Sequence, residues 1–392
     1  MLPRGFKVSG ISAQIKKNSK NDLGLIYSEV DCIAAAAFTK NKVKAEPIIF
    51  SKNNLKNTIR AVLVNSGNAN CFTGKQAQND VVTVARKLAA HLNINIKNIL
   101  MASTGIIGVR WPKEKILSSL EDLISNLSQK AIRDFASSIL TTDKFSKIKS
   151  VAINLSGKKG IICGIAKGAG MIYPHLEIAM PLHATMLCFI LTDVAISRKL
   201  LNLVLKEAVE KSFNSISVDG CMSTNDSVFL LTNGLAANDI IRENNREFQI
   251  FRTALIKLCQ DLAKMIVLDA EGATKFITIR IEKAKSVSEA KKAGFAIANS
   301  NLFKCAIHGG DPNWGRIVAA LGADQINFDL SRLDIFINNK RILKNSRALP
   351  VLKKITGKNV DIRIVLNSGN YDWVVYSSDL SKEYIDINSC YS

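Results

Sequence analysis

The chain is 392 residues long, 47% apolar and 22% charged, which excludes a disordered polypeptide and leaves material for more than one minimal domain. Its 53 Lys and Arg against 33 Asp and Glu give a formal net charge of +20. The basic residues are scattered through stretches such as SKNNLKNTIR, and aromatics make up only 6%, so the excess reads as a solvated surface that steers anionic substrates and not as a nucleic-acid interface.

The opening MLPRGFKVSGISAQIKK lacks the apolar core of a signal peptide, and no apolar run approaches the ~20 residues of a membrane span. AVLVN (61–65) reads as a strand. Ala77, Val81, Val84, Leu88 and Leu92 then recur at the helical period, and Ile116, Leu120, Leu123 and Leu127 form a second stripe. VAINL (151–155), IICGI (161–165) and MLCFIL (186–191) are strand-like. SRKLLNLVLKEAVEKSF (197–213) predicts a helix capped by Ser197, its apolar face on Leu200, Leu201, Val204 and Ala208. VFLLT (228–232) is a strand, and a helix runs from about Arg246 to Ile266 through Phe251, Leu255, Leu258 and Leu262. FITIRI (276–281), DIFIN (334–338), DIRIVL (361–366) and DWVVYS (372–377) close the chain as strands. FITIRI alternates Phe276, Thr278 and Arg280 with Ile277, Ile279 and Ile281, so it buries one face. Helices clustered between groups of strands predict α+β layers and not a doubly wound sheet.

Five loops dense in Gly, Asn, Ser and Thr abut these elements: NSGNANCFTG (65–74), ASTGIIG (102–108), KGAGM (167–171), VDGCMSTND (218–226) and GGDPNWGR (309–316). Such loops on a rigid scaffold are where sites are built, although plain turns use the same residues. They contain no P-loop, no dinucleotide fingerprint and no G-x-S-x-G elbow. The eight cysteines form no C-x-x-C pair, so neither a zinc ribbon nor a redox motif is indicated. Of the four histidines, His91 lies in a helix rich in Ala and Leu, where a packing role fits, and His175 and His183 have no ligand set around them. The expectation is a cytoplasmic protein with reduced thiols, no metal and no cofactor.

HATMLCFILTD (183–193) places Thr185 at the head of a buried-looking run. A β-branched residue there is ordinarily packing. The chemical alternative is a threonine activated by its own α-amino group once the chain is cut before it. A free α-amine ordinarily titrates at about 7.7 to 8.0, which suits it to general base work. Small Ala184 leaves room for the hydroxyl to attack the preceding carbonyl.

NSGNAN with a following TG, STG-x-IG, TTD (141–143), KGAGMI (167–172), ATML (184–187), STND (223–226), EGATK (271–275), DPNWGR (311–316) and YIDINSCY (384–391) occur in the order of one family. Over essentially its whole length the chain resembles the ornithine acetyltransferases (glutamate N-acetyltransferases), bifunctional proteins of arginine biosynthesis. The resemblance implies a layered α/β/β/α fold of the N-terminal-nucleophile kind. It also implies self-cleavage between Ala184 and Thr185 into an N-terminal segment 1–184 and a C-terminal segment 185–392, two copies of each forming a heterotetramer. The cut need not be a domain boundary. Thr185 would be the nucleophile that carries acetyl from N2-acetylornithine to glutamate, with Thr104 and Gly105 as the oxyanion hole. Thr141, Lys167, Thr185, Glu271 and Asn388 would contact substrate, Lys167 meeting a carboxylate and Glu271 an ammonium. Acetyl-CoA as a second donor stays open, and no nucleic-acid or membrane partner is implied. The chain departs from the family in the longer link YPHLEIAMPLH (173–183) before ATML and in Cys221 and Met222 before STND. A hydrolytic amidase or aminopeptidase with the same kind of nucleophile is the alternative enzyme. A nucleic-acid-binding protein is an alternative resting on charge alone.

Overall fold

The computed structural model describes residues 1–178, 186–326, 328–350 and 354–390. Its strands, in chain order, are β1 (Phe6–Ile11), β2 (Leu23–Thr39), β3 (Ile59–Asn68), β4 (Ile99–Ile106), β5 (Lys147–Leu155), β6 (Lys158–Lys167), β7 (Leu176–Ile178), β8 (Leu187–Thr192), β9 (Ile216–Ser217), β10 (Ser227–Thr232), β11 (Phe276–Ala284), β12 (Asp334–Ile337), β13 (Lys340–Lys344), β14 (Arg347–Ala348), β15 (Asn359–Val365) and β16 (Tyr371–Ser378). The chain divides into two compact units. The first holds residues 1–168, 174–214 and 222–266, and the second 169–173, 215–221 and 267–392. These units are interleaved in sequence. The expected division into 1–184 and 185–392 concerns a single peptide bond, which lies outside the described residues.

In the first unit the sheet runs β4-β3-β2-β10-β8-β6-β5, with β1 and β7 also on β2. The long β2 joins two halves. Its start pairs with β1 and β3, and its end pairs with β10 and β7. Between them the register against β3 slips, where Glu29, Val30 and Asp31 are exposed. The bend lets alternate residues of both halves share one core: Phe6, Ile26, Val62 and Leu100 with Phe38, Phe189 and Phe229. Phe189 and Phe229 stack at 5.6 Å, and Phe38 meets Phe229 edge-on at 5.7 Å. On the outer face of one half, Leu25, Leu63 and Met101 receive Val81, Val84 and Leu88 of helix Gln76–Leu92. On the outer face of the other half, Gly164 lies against Leu258 and Leu262 of helix Arg246–Leu268. The layers are therefore helix, sheet, sheet, helix, as the resemblance implies and in keeping with the α+β layers read from the sequence patterns. The apolar stripe from Ile116 to Leu127 is two short helices, Lys113–Ser118 and Leu120–Ser125.

The second unit is a sheet in the order β14-β13-β12-β15-β11-β16-β9. The alternation in β11 is realised: Ile277, Ile279 and Ile281 are fully buried, packed with Ala290, Ala293 and Ile297 of helix Val287–Ala298. That helix and the next, Asn301–Gly309, are capped by Ser286 and Ser300, whose hydroxyls accept the amides of Glu289 and Phe303. The sequence patterns predict neither helix.

Candidate functional site

Thr104 and Gly105 lie near the end of β4, which runs parallel to β3 in a register that sets Ser66 against Thr104 and Gly67 against Gly105. Gly105 has φ +133°, and a Cβ there would stand 2.3 Å from the Gly67 carbonyl carbon. Only glycine permits this approach of two strand ends. The surrounding loops are tied to one another. Asn65 Oδ1 accepts the Ser103 hydroxyl at 2.5 Å and the Trp111 indole N–H at 3.0 Å. Asn225 Nδ2, from STND, donates to the carbonyls of Ala69 and Ser103 at 2.7 and 2.8 Å. Three of the loops singled out in the sequence are thus one hydrogen-bonded cluster.

Lys167 ends β6 and is 1% exposed. Its Nζ donates to Thr141 Oγ1 at 2.8 Å and to Thr104 Oγ1 at 3.4 Å, and lies 3.7 Å from Asp143 Oδ2. Asp143 Oδ1 accepts Lys147 Nζ and the Gly168 amide, both at 2.7 Å, while Oδ2 accepts the Thr141 amide at 3.1 Å. Burial pushes the Asp143 carboxyl up, but the ammonium groups of Lys167 and Lys147 outweigh it and hold the group well below the usual carboxylate range. Lys16 belongs to the same electrostatic neighbourhood. Burial pushes it down to about 8, Asp22 opposes that, and Lys167 adds to it.

The antiparallel pairing of β6 with β8 sets Lys167 opposite Leu187, two residues after Thr185. Met186 is buried, and its carbonyl accepts the Ser227 amide at 2.8 Å. Ala184 and Thr185 themselves lie outside the described residues.

Glu271 and Asn388 belong to the second unit. The Glu271 amide donates to the Ala169 carbonyl at 3.0 Å, and its Oε2 accepts Asn388 Nδ2 at 2.8 Å. A Cβ on Gly170 would fall 2.2 Å from that Oε2, so glycine is what lets the carboxylate lie against the KGAGMI segment. Asn388 stands on helix Lys382–Ser389, capped by Ser381, whose hydroxyl accepts the Tyr384 amide and donates to the Gly272 carbonyl. Asp219 takes the amides of Met171 and Ile172 at 2.6 and 3.0 Å, that of Cys221 at 3.1 Å and the Tyr384 hydroxyl at 3.3 Å.

Thr104, Thr141 and Lys167 are thus joined in one unit, and Glu271 and Asn388 in the other. Sequence reasoning gave no role to Asp143, Lys147, Asn225, Asp219 or Tyr384. Four of them stand inside quoted motifs, which is the signal that could have found them. Among the described residues no group of three His, Cys, Asp or Glu side chains forms a metal-type ligand set. No helix among them is long and apolar enough to cross a membrane.

A sequence model of the ArgJ family matches residues 7–392. The chain is 42% identical over 398 residues to the arginine biosynthesis bifunctional protein ArgJ of Dehalococcoides mccartyi (strain CBDB1), with 100% of this chain and 96% of that protein covered. It is 41% identical over 406 residues to the glutamate N-acetyltransferase of Methanocaldococcus jannaschii, covering 100% and 97%. A solved structure of Mycobacterium tuberculosis ornithine acetyltransferase complexed with ornithine is 32% identical, with a TM-score of 0.40, 45% of this chain and 94% of that chain being covered.

Proposed function

The chain belongs to the ArgJ family of acyl-transferring enzymes of arginine biosynthesis, and on that premise we propose that it moves acetyl from N2-acetylornithine to glutamate through Thr185. Cleavage of the Ala184–Thr185 bond frees the Thr185 amine. That amine takes the hydroxyl proton as Oγ attacks the acetyl carbonyl carbon. The developing oxyanion is met at Thr104 and Gly105. As the amide C–N bond breaks, the proton passes to the leaving nitrogen, ornithine departs and an acetyl ester remains on Thr185. The α-amine of glutamate then attacks the ester carbonyl carbon, and the Thr185 amine accepts the proton it loses. The ester C–O bond breaks to release N-acetylglutamate, and that proton passes to Thr185 Oγ.

One observation carries this reading: strand pairing sets Lys167, whose buried ammonium donates to Thr141 and Thr104, opposite Leu187, two residues from the proposed nucleophile. A cation held there suits a substrate carboxylate. Glu271, with Asn388 on its Oε2, is suited to a substrate ammonium. The decisive experiment is intact-mass measurement of the denatured protein before and after incubation with N2-acetylornithine without glutamate. Two pieces, 1–184 and 185–392, with acetyl gained on the second alone, are expected. An uncut active chain, or acetyl on another residue, overturns the mechanism. Equal consumption of acetylornithine with and without glutamate would indicate the hydrolytic alternative.

A further inference from the structure

VDG (218–220) is a motif to which the acetyl-transfer reading gives no role, yet its Asp219 joins segments that this reading uses. All four of its contacts lie within the second unit. Oδ2 accepts the Met171 amide at 2.6 Å and the Tyr384 hydroxyl at 3.3 Å, while Oδ1 accepts the amides of Ile172 and Cys221 at 3.0 and 3.1 Å. Glu271 spans the same two segments one step away, through the Ala169 carbonyl and Asn388 Nδ2. Segment 169–172 and helix Lys382–Ser389 are therefore cross-braced twice, once by Asp219 and once by Glu271.

We propose that Asp219 is a positioning residue of the acetyl-transfer site. By gathering the Met171 and Ile172 amides and the Tyr384 hydroxyl on one carboxylate, it fixes where Glu271 and Asn388 meet the amino-acid substrate. The inference rests on the reading of Glu271 and Asn388 as substrate contacts. An ionised carboxylate offers about four acceptor sites and no donor. Four donors fill them, so Asp219 holds the frame and does not itself bind substrate. Burial raises its carboxyl from the ordinary value, and the amides of Cys221, Met171 and Ile172 act against that rise. An asparagine would turn an N–H group toward backbone N–H groups, and a glutamate would carry the carboxylate one methylene too far. Tyr384 is the link outward, because its hydroxyl donates to Asp219 while its carbonyl accepts Asn388 Nδ2 at 2.9 Å.

The test compares Tyr384→Phe, Asp219→Asn and Glu271→Gln, singly and with Tyr384→Phe and Glu271→Gln combined, reading KM for both substrates, kcat and Tm. Loss of the Tyr384 hydroxyl is expected to raise KM about threefold to tenfold, with a smaller change in kcat. Asp219→Asn should raise it about 10- to 100-fold. Because Tyr384 acts through the Glu271 subsite, the double variant should have a KM little worse than Glu271→Gln alone. Fully multiplied effects would overturn the proposal. So would a lowered Tm with unchanged KM in Tyr384→Phe, the variant that decides if Asp219→Asn does not fold. Should Glu271→Gln leave KM unchanged, the substrate reading itself fails. Should only Glu271→Gln move KM, that reading survives and the positioning role falls.

Discussion

Lys167 Nζ and Asp143 Oδ2 lie 3.7 Å apart with both side chains shut away from solvent, and Lys147 Nζ closes on the other Asp143 oxygen at 2.7 Å. Two buried ammoniums share one carboxylate. Breaking such a group from one side is costly, because it strands uncompensated charge at about 3–5 kcal/mol. Asp143→Leu is therefore expected to destabilise the protein by about that amount. Asp143→Asn should fold better but release Lys167, raising KM for the acetyl donor. Urea denaturation and steady-state kinetics check the two.

The same carboxylate sets a pH dependence. Its folded pKa is depressed, so its stabilisation is fully present above the unfolded value, ~3.9, and is lost as pH falls from there toward the lower folded value. Wild type should lose stability progressively through that acid range, and Asp143→Asn should show a shallower loss. Parallel slopes would refute the assignment.

Lys304 gives the opposite sign. It is 1% exposed, donates to Ser377 Oγ and the Ser378 carbonyl, and burial pushes its pKa down to about 8 from 10.5. Between those two values the unfolded chain holds more protons than the folded one, so stability contributed by this group rises with pH across that window. The rise should be on the order of 3 kcal/mol and should vanish in Lys304→Met, as read by denaturation at both ends of the window.

At Gly105, a methyl group would meet Gly67 at 2.3 Å in a backbone conformation that disfavours side chains. Gly105→Ala should move the end of β4 and, if this is the oxyanion hole, lower kcat about 10²- to 10³-fold. A normal kcat with a normal Tm would remove Gly105 from the reaction.

Gly170→Ala offers a matched test in the second unit. Its Cβ, 2.2 Å from Glu271 Oε2, must displace that carboxylate from Asn388. The expected outcome is a KM raised about tenfold or more for both substrates, consistent with loss of a charge-assisted contact.

Most of the longer strands were legible because they are short apolar runs bounded by turn residues, as in MLCFIL, or strictly alternating ones, as in FITIRI. The helices at 76–92, 198–210 and 246–268 were legible for the corresponding reason. β2 was not. Its middle, SEVDC, breaks the alternation where the strand leaves one half of the sheet for the other, and the Ala run that follows suits a helix equally well. The motif order identified the family and supplied Thr104, Gly105, Thr141, Lys167, Ala184, Thr185, Glu271 and Asn388 as expectations.

Sequence by itself therefore determined the types of the strongly periodic elements, the α+β class and the family, because these follow from local periodicity and from motifs read in order. Tertiary structure alone decided that Asp143 is shared by two lysines, that Lys167 stands opposite Leu187, and that Asp219 gathers donors from residues 171, 172, 221 and 384. Charge neutralisation and hydrogen bonding depend on distances through space. Those are set by which strands pair and in what register, and no spacing along the chain encodes them.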